Sequence, residues 1–351
     1  MSSYDTLRKA RDLIVQEGGE VAPLPISEEE LNPEIQDDLS YQAYPLESMN
    51  SVYQVDYNYP DDSTCTEFTF FEDGKQRTVQ IGFIRAQYGN HFILVPVHYF
   101  VVAAVILKRV NQKLQLWDKP EIVQGIFIER SLIPNQQILD EFENSGLTII
   151  DTRAQGGDYY ELRKRALREA KRQRLSVEER LITRWMQSVD SDGQFLIVDG
   201  TLMNLRNEDN VERCVGVSKS FRNRYFTVSD HNRILQMSEF ERSWMFRFHS
   251  DEDENDDIRL GPRERISWYL RLRTRPNREP EFGLIRIEIS PRLRSQASDY
   301  VDRFSRSLLS ERLPTAYPKP RWDKHLYPIQ CCENYLSSII PSISTINASM
   351  K

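Results

Sequence analysis

The sequence is poor in the residues that most often announce a chemistry. It holds 5 histidines and 4 cysteines in 351 residues. The histidines, His91, His98, His231, His249 and His325, are scattered, with no H-E-x-x-H or H-x-H spacing, which argues against zinc hydrolysis. The cysteines, Cys65, Cys214, Cys331 and Cys332, include no C-x-x-C pair. They read as reduced thiols of a cytoplasmic protein rather than a metal knuckle or a disulfide framework. There is no G-x-x-x-x-G-K-[ST], so the chain carries no phosphate-cradling motor of its own, and no G-x-S-x-G nucleophile elbow. An excess of positive charge is also missing: the net charge is -7, so a nucleic-acid partner would have to be met by local basic patches. The start, Met1 to Asp5, has neither a basic nor an apolar signal region, and no secretory signal is expected. The longest apolar run, His91 to Leu107, approaches membrane-spanning length but is broken by Pro96 and His98; it reads as a buried strand followed by a buried helix, and no membrane association is expected.

What is present is an ordinary globular composition, 39% hydrophobic and 28% charged, enough for a sizeable core. Residues 1–50 are polar and rich in Glu and Pro, and read as a helical and loop extension. Leu7, Ala10, Leu13 and Ile14 lie on one face of a helix over Ser3 to Gln16. A loop follows from Pro23 to Pro33, with a helix-start signal at Ser27 to Glu30. From residue 66 the pattern alternates. Thr66 to Phe71 is a strand running into Glu72-Asp73-Gly74, Arg77 to Arg85 a second, and His91 to Val97 a third. Tyr99 to Lys108 is predicted helical on the strength of Ala103 and Ala104. A meander followed by a helix opens an α/β domain. Tyr160 to Arg174 is a basic helix. Ser176 to Glu179 reads as a fresh helix start, with Leu181, Ile182, Trp185 and Val189 as its apolar stripe. Gln194 to Val198 is a buried strand ending in Asp199-Gly200. Further strands are expected at Cys214 to Val217, Trp244 to Phe248, Ile266 to Leu272 and Phe282 to Ile289. The acidic run Asp251 to Asp257 reads as a solvated loop, and helices are expected over Ala297 to Leu309 and Tyr327 to Ile340.

Two Asp-Gly steps draw the chemistry together. Asp-Gly is a common turn dipeptide, yet carboxylates at adjacent strand ends can converge on a hard divalent cation, and glycine permits close approach of a phosphate. Asp199 is the more telling because it follows four buried residues. Glu178 shares a helix face with Leu181, Ile182 and Trp185, which points it inward; buried carboxylates are rare unless paired or metal-bound, so it is preferred over Glu179, which suits a cap. Lys219 follows a strand soon after Asp199 and would contact a phosphate or stabilise a leaving oxygen, unless it is an exposed strand end. Arg222 and Arg224 nearby, and Arg163 and Arg165 on the basic helix, are the expected phosphate contacts, although Glu161 and Glu169 make a salt-bridged helix an equal reading. Glu288 is expected to pair with Arg286 in a structural role.

The order of these pieces resembles the NurA family of nucleases: Asp73-Gly74, an inward helical Glu, Phe195 to Leu202, Val215 to Ser220, Arg286-Ile-Glu288 and a late Tyr327-Pro328. The resemblance spans roughly residues 65 to 345. It implies an RNase H-like mixed sheet flanked by helices, with residues 51–351 as the nuclease domain and a basic helical insertion near 155–190. It implies a site of Asp73, Glu178, Asp199, Lys219 and Tyr327, the three acids holding one or two Mn²⁺ or Mg²⁺ ions. The implied activity is 5′ to 3′ exonuclease and single-strand endonuclease cutting of DNA, by a homodimer beside a hexameric HerA-type ATPase, in repair or antiviral defence. One departure stands out. The family places a histidine after Tyr-Pro, where this chain reads Ile329 to Asn334; Glu333 or Asn334 would take its place, or His325 would reach in from before the helix. That departure motivates the alternative of a catalytically weak DNA- or ATPase-binding subunit. An unrelated α/β scaffold, with Asp73 and Asp199 far apart, is the third reading.

Overall fold

The computed structural model describes residues 3–16, 18–21, 43–58, 66–133, 136–144, 148–153, 158–219, 225–250, 263–275, 278–314 and 322–350. Its strands, in chain order, are β1 (Glu20–Val21), β2 (Ala43–Pro45), β3 (Tyr53–Gln54), β4 (Phe70–Tyr88), β5 (His91–Val110), β6 (Lys113–Leu116), β7 (Glu121–Ile128), β8 (Thr148–Asp151), β9 (Leu196–Asp199), β10 (Cys214–Ser218), β11 (Glu241–Arg242), β12 (Phe246–Ser250), β13 (Arg263–Arg271) and β14 (Leu284–Ile289). Its helices are α1 (Ser3–Gln16), α2 (Gln136–Asn144), α3 (Tyr159–Met186), α4 (Glu208–Val211), α5 (Val228–Leu235), α6 (Ala297–Glu311), α7 (Tyr327–Ile339) and α8 (Ile343–Met350).

The described strands join in one mixed sheet whose main path runs β2-β12-β13-β14-β10-β9-β4-β5-β7-β8. At its centre β4, β5 and β7 form an antiparallel meander. The chain then crosses through α3 to β9, which lies parallel to β4, and β10 lies parallel to β9. That is the RNase H-like order, extended on one side by β14, β13 and β12 and covered by helices on both faces. Phe70, Phe100, Val102, Leu196 and Val198 bury themselves against Ala166, Ala170, Val177, Leu181 and Trp185 of α3. On the opposite face Phe71, Val105, Ile197, Val215 and Val217 meet Val301, Phe304 and Leu308 of α6 and Ile329, Cys332 and Leu336 of α7. Strand alternation therefore decides which helix each residue near the site meets.

Three local expectations are corrected. Tyr99 to Lys108 is not a helix but the continuation of β5, and Arg77 to Arg85 is not a separate strand but part of β4, so the two form one long hairpin. Phe100, Val102, Ala104 and Ile106 are buried on one face and Tyr99, Val101, Ala103 and Val105 on the other. A strand covered on both faces has no polar alternation, and an apolar run of that kind cannot be told from a buried helix by periodicity. The start signal at Ser176 falls inside α3, a single helix of 28 residues capped by Asp158, whose carboxylate accepts hydrogen bonds from the amides of Tyr160 and Glu161. Ala166 and Ala170 before Ser176 and Val177, Leu181 and Trp185 after it are buried in the same core, so tertiary packing carries the helix past it. The helix over Ser3 to Gln16 lies on the sheet with Leu7, Ala10 and Ile14 buried. The loop and helix start expected from Pro23 to Pro33, the acidic run Asp251 to Asp257, and Arg222 and Arg224 lie outside the described residues. Among the described residues, no helix is long and apolar enough to cross a membrane.

Candidate metal centre

Asp73 is not at the end of its strand. It sits at the point where β9 leaves β4: the β4–β9 ladder runs from Phe70↔Leu196 to Glu72↔Val198 and stops, while β4 continues against β5 with Asp73 opposite Val105. Asp199, the last residue of β9, lies one position beyond the ladder, so the two carboxylates emerge side by side. Both follow residues of the α6–α7 face, Phe71 and Ile197, by two positions, as Lys219 follows Val217. Period-2 alternation places all three on that face.

Helix α7 brings the fourth group. It begins with Tyr327 and Pro328, whose fixed backbone suits the first helical turn, and it is tied to β4 by the Cys332 thiol, 3.5 Å from the Phe71 carbonyl. Glu333 then faces the strand ends. One carboxylate oxygen each from Asp73, Asp199 and Glu333 lie within 4.8 Å of one another. Lys219 Nζ donates to Asp199 Oδ2 at 2.9 Å and stands 3.5 Å from Glu333 Oε1. His325 Nδ1 stands 3.6 Å from the same Glu333 oxygen, and Gln330 Nε2 donates to Glu333 Oε2 at 3.3 Å.

Glu178 approaches from the other face. It is buried on α3, hydrogen-bonded by Arg174 one turn earlier, and its carboxylate lies directly on Gly74. A Cβ at Gly74 would fall 1.8 Å from Glu178 Oε1. The two Asp-Gly steps thus differ in kind. Gly200 adopts φ +115° and turns the chain after Asp199. Gly74 is in extended backbone and supplies a space, which a carboxylate from α3 fills. Glu72, on the same face as Gly74, is 1% exposed and its Oε1 has no hydrogen-bond partner.

The electrostatics follow from crowding acids in a dry place. Burial, then Asp199, pushes the Asp73 carboxyl well above the ordinary range, against the pull of Lys219. Burial, then Glu178 and Asp73, does the same to Glu72. Burial also lifts Glu178, although Arg174 draws it back. Burial pushes the Lys219 ammonium down, yet Asp199, Glu333 and Asp73 more than offset it and leave Lys219 above its usual value. Clustered carboxylates held up by burial and by mutual repulsion, with one buried oxygen unsatisfied, are a donor set that fits a hard divalent cation.

The family model for the NurA domain matches residues 97–328, well over half of the chain. The chain belongs to the NurA family, which is a family of nucleases. The match contains Glu178, Asp199, Lys219 and Tyr327, whereas Asp73 precedes it and Glu333 follows it. No curated protein matches the chain.

The remaining residues singled out from sequence fall as follows. Tyr327 is half exposed at the head of α7, and its hydroxyl pairs with the Cys331 thiol rather than with the acids. Glu179 accepts from the amides of Arg206 and Asn207 at 2.6 and 2.7 Å, pinning the loop before α4. Glu288 is fully buried; it takes Arg286 Nη2 at 2.6 Å, the Thr201 hydroxyl and the Leu202 amide, and so fixes the turn that follows Asp199. Arg163 is exposed on α3 and Arg165 is half-buried. Sequence reasoning missed Glu72 and Arg174. The alternation Phe70, Glu72, Gly74 carried the signal for the first, and the i,i+4 spacing to Glu178 for the second.

Proposed function

We propose that this protein is a divalent-cation-dependent deoxyribonuclease whose chemistry is carried by Asp73, Asp199 and Glu333 with Lys219, and with Glu178 as a further acid. The observation that carries the reading is the convergence of three carboxylate oxygens within 4.8 Å beside a buried ammonium. Asp73, Asp199 and Glu333 would hold the ion; Glu178, outside that group of three, would add an acid from the α3 side of Gly74. An Mg²⁺ or Mn²⁺ ion bound there supplies Lewis-acid polarisation of a phosphodiester and lowers the pKa of water. The chain's own residues do the rest. Asp199, whose Oδ2 accepts from Lys219, would be shared between that ammonium and the ion. The Lys219 ammonium, kept charged by three acids, offsets negative charge gathering on the phosphate. Glu288 holds the Gly200–Leu202 turn and so fixes Asp199. Tyr327, half exposed at the head of α7 with its hydroxyl on Cys331, would contact a passing nucleotide rather than the ion.

Glu333 stands in the stretch where the family carries its late histidine, which makes the donor set all-oxygen and favours Mg²⁺ or Mn²⁺ over zinc. The finer activity follows the family: exonuclease cutting from 5′ to 3′ and endonuclease cutting of single strands, by a homodimer working beside a hexameric HerA-like ATPase on DNA ends, in repair or defence. A partner that drives the DNA accords with a chain that has no motor motif. Arg163 on α3, and Arg222 and Arg224 beyond Lys219, are the proposed phosphate contacts.

Purified protein with Mn²⁺ should degrade linear DNA, and Asp199→Ala should abolish that degradation; cleavage that survives the substitution sinks the assignment. The same departure at Glu333 supports a second reading, a catalytically weak subunit that binds DNA and an ATPase. Calorimetry separates the two, because only the nuclease reading requires Mn²⁺ to bind.

A further inference from the structure

The geometry points to Arg174 as a resident counter-cation on Glu178 Oε1 that must leave that oxygen before a divalent ion can take it. This rests on the metal-nuclease reading above and adds a step that controls loading of its site. Arg174 Nη1 donates to Glu178 Oε1, the same oxygen that lies on Gly74. An N–H bond to that oxygen and a cation on it compete for the same electron pairs. The two partners also differ in freedom. The Arg174 side chain keeps 24% of its surface in contact with solvent and Glu178 only 8%, so the guanidinium has a way out and the carboxylate does not.

The surroundings say why an arginine is there. Glu72 Oε1 is buried beside Gly74 and makes no hydrogen bond. Asp73, Asp199 and Glu333 lie just across the strand, countered by Lys219. Five carboxylates, of which Glu72, Asp73 and Glu178 are buried, share two cations, Arg174 and Lys219, and burying unpaired charge is costly. Arg174 offsets part of that excess in the metal-free protein. A divalent ion offsets more and takes oxygen ligands directly, so loading at Glu178 and release of Arg174 are one coupled event. The five N–H donors of the guanidinium fit a phosphate, so once released Arg174 stands beside the site with the right chemistry for the DNA backbone.

The test is Mn²⁺ binding measured by calorimetry at one fixed pH on the wild-type protein and on R174Q, R174K, E178Q and R174Q/E178Q. Removing the competing charge should tighten Mn²⁺ binding in R174Q by about tenfold or more, with R174K between R174Q and wild type because an ammonium is a single point donor. The gain should vanish in the E178Q background, since the competition is for Glu178. R174K gives the reading if R174Q does not fold. Unchanged or weaker Mn²⁺ binding in both Arg174 variants, or a gain that persists with E178Q, overturns the gate and leaves the metal reading standing. Failure of Mn²⁺ to bind any variant overturns both.

Discussion

Substituting alanine for Gly74 asks whether the Asp73-Gly74 step is a turn or a space. A turn in extended backbone would tolerate alanine. A space would not: the added methyl carbon would fall 1.8 Å from Glu178 Oε1, 2.5 Å from its Cδ and 2.7 Å from its Cγ. Three atoms of one side chain lie inside van der Waals contact, so the carboxylate must swing away whole rather than tilt. It is the far end of a flexible side chain, and the strand itself need not move. Overpacking of this kind costs about 1–3 kcal/mol, so Gly74→Ala should still fold, with a lower unfolding midpoint in denaturant. The larger effect should fall on the site, because Glu178 can no longer stand beside Asp73. Displacing an oriented acid should weaken Mn²⁺ binding by about 10–100-fold. The decisive comparison is the double variant Gly74→Ala/Glu178→Gln, measured by Mn²⁺ calorimetry and by cleavage of linear DNA. If the methyl acts through Glu178, the double variant should be no worse than the poorer single one. Losses that add, or a Gly74→Ala protein that binds Mn²⁺ like wild type, would refute the argument.

Other outcomes follow from the same geometry. Lys219→Met removes a cation 2.9 Å from Asp199; calorimetry should find Mn²⁺ bound more tightly while cleavage falls by about 10²-fold, and a parallel gain in both would contradict the role given to Lys219. Folding raises Asp73, Glu72 and Glu178 above their ordinary values. Their contribution to stability is therefore fully present below the ordinary carboxylate range and is lost as pH rises through the raised values. Melting of the metal-free protein should accordingly show these acids costing stability near neutrality, and Mn²⁺ should raise the midpoint more there than in acid. Glu288→Gln strips the buried Arg286 of its carboxylate partner. Denaturant titration should find a loss of about 3–5 kcal/mol, with Mn²⁺ affinity reduced less than by a change at Asp199 itself.

Much of this was legible in the residues, because burial patterns at the site are local. Glu178 could be placed inward from its spacings to Leu181, Ile182 and Trp185. Asp199 stood out as a charge closing a buried strand, and Tyr327-Pro328 announced α7. What escaped was information that lies between elements. Asp73-Gly74 looks like a turn until the ladder with β9 is seen to end there while β4 runs on against β5. Only a helix packed across the strand explains the glycine. Tyr99 to Lys108 misled because a strand buried on both faces shows no period of two. Glu333 carries a quieter signal: its spacings of +4 from Ile329 and −3 from Leu336, both buried, place an acid on the apolar side of α7. Glu72 and Arg174 left a signal in the alternation Phe70, Glu72, Gly74 and in the i,i+4 spacing to Glu178, but what each faces appears only in the tertiary structure.

The central claim is that Asp73, Asp199 and Glu333 hold one divalent cation together. It is tested most directly by titrating Mn²⁺ into wild-type protein, Asp73→Asn, Asp199→Asn and Glu333→Gln in one calorimetric series. The account predicts that the wild type binds and that each substitution weakens binding by at least about tenfold. Asp73→Asn should in addition unfold no more easily than wild type without metal, because it removes a repelled buried charge. Wild-type protein that takes up no Mn²⁺, or three variants that bind it unchanged, would contradict the account.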